Sequence, residues 1–160
     1  MIAPEKPALR KMTLEEKQHL ATPADFWAAV DAEFEFECDV CATFDTKKCA
    51  IYLGPDRFLG RYRDALADDQ VWIDECAPRA WCNPPFRNVL RWHQKAHAEA
   101  QKSASAVVVV LGLPGCSQDW FKFAYQNASE IRLLTPRIHF DVPEGCIKES
   151  NPRDSVLYIY

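Results

Sequence analysis

The chain has 160 residues, 48% hydrophobic and 26% charged, proportions that suit one globular domain with a sizeable core. The longest apolar run, residues 106–111, is far too short to span a bilayer, and residues 1–20 lack the apolar stretch of a signal peptide, so a cytoplasmic protein is expected. A net charge of −4 excludes a coat of basic residues but leaves room for a local patch that tracks phosphates.

Residues 1–20 read as a loose leader, within which Thr13 and Glu16 stand at capping-box spacing for a short helix over 13–20. Residues 21–160 read as a single domain. Thr22 suits an N-cap and Pro23 the first helical position, after which Phe26, Val30 and Phe34 repeat along one helix face. Phe36, Cys38 and Val40 then alternate with Glu37 and Asp39 as a short strand. Over 45–78 the pattern is weak and predicts turns at Gly54-Pro55 and Gly60, a short helix, and a strand near Val71-Trp72.

The second half is more regular. Ala80-Trp81-Cys82 predicts a strand stopped by Asn83-Pro84-Pro85, followed by a helix over 89–100 and a β-branched strand over 107–110. Pro114-Gly115 breaks the chain before a helix over 119–125. Strands over 131–134, 138–140 and 156–160 close the sequence, the last two expected to pair antiparallel. Strands alternating with helices predict an α/β sheet.

Seven cysteines, an odd number in no regular framework, point to reduced thiols. Cys38 and Cys41 have zinc-ligand spacing, but no second pair follows and strand periodicity sends them to opposite faces, so no metal is expected. His93 and His97 share a helix face without the Glu of a metalloprotease and read as a solvated face. Trp81, Trp92 and Trp120 read as core packing.

Asn83-Pro84-Pro85-Phe86 carries the clearest chemistry. Neither proline has an N–H, and each holds its predecessor extended, which makes a stiff turn with outward-facing carbonyls. An exocyclic amine could donate to the Asn83 amide oxygen and the Pro84 carbonyl, drawing its lone pair out of ring conjugation toward an electrophile. Phe86 would stack on the ring bearing that amine, and a nucleobase would have to leave the duplex to reach it. Arg87, Arg91, Lys95 and Lys102 follow, opposed mainly by Glu99: either a solvated helix face or contacts to DNA phosphates.

Together with Thr22-Pro23, Asp39-Val40-Cys41-Ala42-Thr43, Asp64-Ala65-Leu66 and further ordered blocks to Ser155-Val156-Leu157, the tetrapeptide resembles the phage-type (Dam-like) DNA N6-adenine methyltransferases. The resemblance implies a Rossmann-like S-adenosylmethionine-dependent fold with a mixed seven-stranded sheet, DNA as substrate, and S-adenosyl-L-methionine as cofactor. It implies that Asp39, Val40, Cys41 and Ala42 form the cofactor motif, with the Asp39 carboxylate near the methionine ammonium. Thr22 and Pro23 would cover the methionine end, Asp64, Ala65 and Leu66 would meet the cofactor adenine, and Asn83 would stand between cofactor and target.

Three departures qualify this. The Gly-rich loop common after the first strand is replaced by Cys41-Ala42-Thr43, the ribose acid has only Asp45 and Asp56 as candidates, and Asp154 stands where the family suggests Gly. Two other functions compete: a methyltransferase acting on a glutamine side-chain amide, and a non-catalytic module that binds DNA or cofactor.

Overall fold

In the computed structural model, residues 10–13, 20–56, 61–75, 77–142, 145–147 and 153–160 are described. The helix expected over 13–20 lies, apart from its ends, outside the described residues, as does Gly60. In chain order the elements are helix α1 (Ala24–Phe34), strands β1 (Cys38–Asp39), β2 (Ile51–Tyr52), β3 (Pro55–Asp56), β4 (Arg61–Tyr62) and β5 (Arg79–Cys82), and helix α2 (Val89–Ala100). Strand β6 (Val107–Gly112), helix α3 (Asp119–Asn127), β7 (Glu130–Leu134) and β8 (Ser155–Ile159) follow.

The strands form a six-stranded sheet in the order β2-β1-β5-β6-β8-β7, with β3 and β4 as a separate antiparallel ribbon. β2, β1, β5 and β6 are mutually parallel, while β8 lies antiparallel to both β6 and β7. The class is therefore mixed α/β with antiparallel C-terminal strands, as expected. The described residues supply six sheet strands rather than seven.

The sheet is buried on both faces, which is why β6 reads as an unbroken apolar run instead of an alternation. Val108 and Val110 face one cluster with Trp92, Ala96 and Ala124 of α2 and α3. Val109 and Leu111 face the other, with Val30 of α1, Phe36 and Trp81. The α1 side is rich in rings: Trp81 meets Trp27 at 5.5 Å and Phe36 at 5.7 Å between centroids. Arg132 on edge strand β7 ties that edge to α1 through Glu33, 2.7 Å away.

Several expectations need correction. Thr22 does not cap α1: Pro23 is the N-cap, no side chain caps the helix, and the Thr22 hydroxyl is used elsewhere. No strand forms at Val71-Trp72, because the N–H groups of Trp72 and Ile73 donate to the Glu99 carboxylate instead. Residues 138–140 form no strand either; Ile138 is buried in the α1-side cluster, and the antiparallel partners of β8 are β6 and β7. His93 is fully buried, not solvated, with its ring parallel to Trp120 and Nδ1 2.6 Å from the Tyr160 hydroxyl. Among the described residues no helix is long and apolar enough to cross a membrane.

Candidate active site

A parallel sheet binds ligands beyond the carboxyl ends of its strands, where neighbouring connections run opposite ways. Here β1 has β2 on one side and β5 on the other, and a cleft of about 290 Å³ opens past their ends. Its wall includes Thr22, Asp39, Val40, Cys41, Ala42, Asp64, Ala65, Asn83 and Pro85. Residues spread over more than sixty positions of sequence are thereby brought together. Pro23 and Leu66 are not part of that wall; Leu66 packs against the main core cluster.

Asp39 closes β1 and is only 3% exposed. Its Oδ2 accepts the Lys48 N–H at 3.0 Å and its Oδ1 the Cys41 N–H at 3.4 Å. Burial pushes the carboxyl up to about 6 against those two backbone bonds and the Lys48 charge. A buried carboxylate raised by desolvation gains from a cation, so the chemistry of this corner suits an ammonium group. Burial likewise pushes the Cys41 thiol up to about 12, which leaves a neutral group in the wall.

The glycine missing after β1 has a counterpart after β2. Gly54 has φ +143°, and a Cβ there would lie 1.9 Å from the Ala42 carbonyl oxygen. Only glycine permits that approach, which lets the two loops close into one wall with the Ala42 N–H donating to Leu53 O at 3.0 Å. In the sequence Gly54-Pro55 signals only a turn, so its role in the cleft was missed. Arg63 also lines the cleft, with Nη2 donating to the Tyr52 carbonyl, and carries no recognisable sequence signal. Asp64 is exposed at this end, where its Oδ1 accepts the Leu66 N–H at 2.9 Å.

The Asn83 amide is oriented by its partners. Its Nδ2 donates to Leu20 O and to Thr22 Oγ1, each at 3.3 Å. A carbonyl can only accept, so the nitrogen must face Leu20 and the amide oxygen must face the other way. The tetrapeptide is shared between two cavities. Asn83 and Pro85 line the cleft of about 290 Å³, whereas Pro84 and Phe86 line a second cavity of about 580 Å³. That second cavity is bounded by Leu113, Gly115, Gln118, Trp120 and Asp154, and Phe86 is 50% exposed at it. Tyr158 donates to Leu113 O at 2.7 Å, pinning its far wall, and Asp154 pairs with Arg137 at 2.7 Å.

The basic residues after the tetrapeptide separate into two kinds. Arg87 is exposed and makes no hydrogen bond or ion pair among the described residues. Arg91 donates to Leu66 O at 3.1 Å, and Lys95 and Lys102 pair with Glu99 at 3.2 and 2.6 Å. Among the described residues no group of three or more His, Cys, Asp or Glu could hold a metal ion, and Cys38 is buried in the core while Cys41 faces the cleft.

The family described as DNA N-6-adenine-methyltransferase (Dam) matches residues 10–160. A "DNA N-6-adenine-methyltransferase" of Haemophilus phage HP1 (strain HP1c1) is 26% identical over 151 residues, covering 89% of this chain and 79% of that protein.

Proposed function

The chain belongs to the DNA N-6-adenine-methyltransferase family, and on that premise we propose that it moves a methyl group from S-adenosylmethionine to the exocyclic amine of an adenine flipped out of DNA. The single observation that carries the reading is the tetrapeptide standing between two cavities, with alternate residues facing each. A methyl donor on one side and an amine on the other would then meet across Asn83 and Pro84.

The cleft suits the cofactor by its own chemistry: a buried carboxylate at one end, an exposed one at the other, and a glycine-tight seam between Ala42 and Gly54. When bound, S-adenosylmethionine supplies the electrophilic methyl group. Asp39 would hold the ammonium, Val40, Cys41 and Ala42 the wall beside it, and Asp64 with Ala65 the adenine end. Thr22 and Pro23 would act at the methionine end, Thr22 directly in the wall and Pro23 through the start of α1. Leu66 would support this end from the core side.

On the substrate side the Asn83 amide oxygen, turned away from Leu20, accepts one amine hydrogen, and the Pro84 carbonyl accepts the other. These bonds localise the nitrogen lone pair, and the proton leaves after transfer, so no strong base is needed. Phe86 offers its exposed face for stacking, worth roughly 1–3 kcal/mol per base against a flipping cost of a few kcal/mol. Arg87, beside it, contacts a phosphate and sets position without reading sequence.

The test is direct. Purified protein is incubated with methyl-labelled cofactor and unmethylated DNA, the DNA is digested to nucleosides, and label is sought in N6-methyladenosine, with Asn83→Ala as control. Label in protein would favour an amide substrate, and label in neither would favour a binding module.

A further inference from the structure

Helix α2 starts just after the tetrapeptide, and three of its side chains, spaced four residues apart, reach one loop. Arg91 Nη2 donates to Leu66 O at 3.1 Å, and Lys95 Nζ lies 3.5 Å from Ala67 O. Glu99 Oε2 accepts the N–H groups of Trp72 and Ile73 at 3.0 and 3.1 Å. This spacing aligns the three along one stripe of the helix, while Trp92, Ala96 and Ala100, one residue further on each time, enter the core. The loop is also closed on itself, since the Trp72 indole N–H donates to Ala65 O at 2.8 Å.

Glu99 does for Trp72 and Ile73 what a strand partner would otherwise do. Backbone N–H groups of buried residues need acceptors, and among the described residues no strand pairs with these two. Glu99, 1% exposed, meets that need and is in turn neutralised by the ammonium groups of Lys95 and Lys102. Asp64 and Ala65, the cleft end of the same loop, are held only one or two residues from Leu66 and Ala67.

We propose that Arg91, Lys95 and Glu99 form a positioning strap that sets the Asp64-Ala65 end of the cofactor cleft, so that they govern cofactor affinity and not DNA contact. The inference rests on the reading of that cleft as the cofactor site. It also divides the basic residues after the tetrapeptide by role: Arg87 meets DNA, whereas Arg91 and Lys95 act inward.

The full-length chain is titrated with S-adenosylmethionine by calorimetry, and its DNA affinity is measured across a salt series. Arg91→Ala should raise the cofactor Kd about fivefold and Glu99→Gln about tenfold, with turnover at saturating cofactor within about twofold of the unaltered protein. Arg91→Lys should recover part of the loss. Neither Arg91→Ala nor Glu99→Gln should change the slope of DNA affinity against salt, which Arg87→Ala should flatten by about one. A folded Arg91→Ala protein with unchanged cofactor Kd would overturn the strap, as would one whose salt slope falls like that of Arg87→Ala. Arg91 is exposed, so this variant carries the test even if Glu99→Gln fails to fold. Failure of the unaltered protein to bind cofactor would instead sink the cleft assignment, and the strap with it.

Discussion

Strands β5, β6, β8 and β7 run four to six residues each and hold one another by backbone ladders, whereas β1 and β2 are two residues long. Around the short strands, side chains gripping backbone add to a few ladder bonds. Asp39 binds the Lys48 and Cys41 N–H groups, Thr46 binds that of Thr43, Asp64 that of Leu66, and Glu99 those of Trp72 and Ile73. A ladder depends little on which side chains decorate it. A side-chain clamp depends on one residue, and each charged one contributes about 1.5–3 kcal/mol. The tetrapeptide turn thus leaves a laddered strand, while the cleft beside it draws on individually replaceable contacts.

The largest effect should come where the two regions meet. Asn83→Ala leaves the ladder side intact, so its thermal midpoint should match that of the unaltered protein while single-turnover methyl transfer falls on the order of 10³-fold. A parallel loss of stability would mean that the tetrapeptide is a structural turn first.

Next is the seam of the clamp side. Gly54→Ala forces a Cβ onto the Ala42 carbonyl at a positive φ, and should lower stability by roughly 3 kcal/mol in denaturant titrations. Cofactor binding should be lost with it. A neutral outcome would show that the two loops separate without cost.

Asp39 sharpens the contrast through pH. Its carboxyl sits at about 6, above the ordinary 3.8, because of burial. The folded protein therefore takes up this proton more readily than the unfolded chain. The group's contribution to stability grows as pH falls through about 6 and is complete below 3.8. Cofactor affinity should move oppositely, weakening as pH falls through about 6, since a neutral acid does not hold an ammonium. Asp39→Asn should bind weakly, about tenfold down, and without that pH dependence. A pH dependence that persists in Asp39→Asn would assign the titration elsewhere.

The smallest expected change tests the clamp on the amide itself. Thr22→Val removes one of two acceptors for Asn83 Nδ2 while leaving Leu20 O in place. The rate constant should fall about fivefold with little change in KM, a loss of roughly 1 kcal/mol. An equal fall in kcat/KM that comes from a raised KM alone would place Thr22 in cofactor binding only.

The same contrast explains what could be read in advance. The helix over 89–100 was legible to the residue, because its apolar positions recur at helical spacing, and β6 was legible over 107–110 as a β-branched run. The tetrapeptide was legible as candidate chemistry from its residue types, whereas the roles expected of Asp39 and Asp64 came from the family resemblance. The setting of Trp72 and Ile73 was not legible, since the acceptor for their N–H groups lies on Glu99, twenty-seven and twenty-six positions away. Sequence periodicity has no signature for such a bond. Val71-Trp72 looked like a strand because its residue types favour one, but the buried Glu99 carboxylate takes the N–H groups of Trp72 and Ile73.

His93 and His97 illustrate a related limit. Spacing put them correctly on one helix face, but a face is solvated or buried only by what packs on it, and β8 with α3 covers His93. The cations after the tetrapeptide behave alike: identical charge in sequence, opposite engagement in space.

By itself the sequence determined the α/β alternation, the positions of the strongly periodic elements, and the stiff, acceptor-rich turn Asn83-Pro84-Pro85-Phe86. These depend on local residue types, whose conformational preferences and hydrogen-bonding capacities travel with the chain. Only the tertiary structure decided that Thr22 accepts from the Asn83 amide, that Gly54 closes on the Ala42 carbonyl, and that Arg91 and Glu99 reach the backbone of Leu66 and Trp72. Each of those is a meeting of groups distant in sequence, and such meetings are fixed by how the layers pack around the sheet.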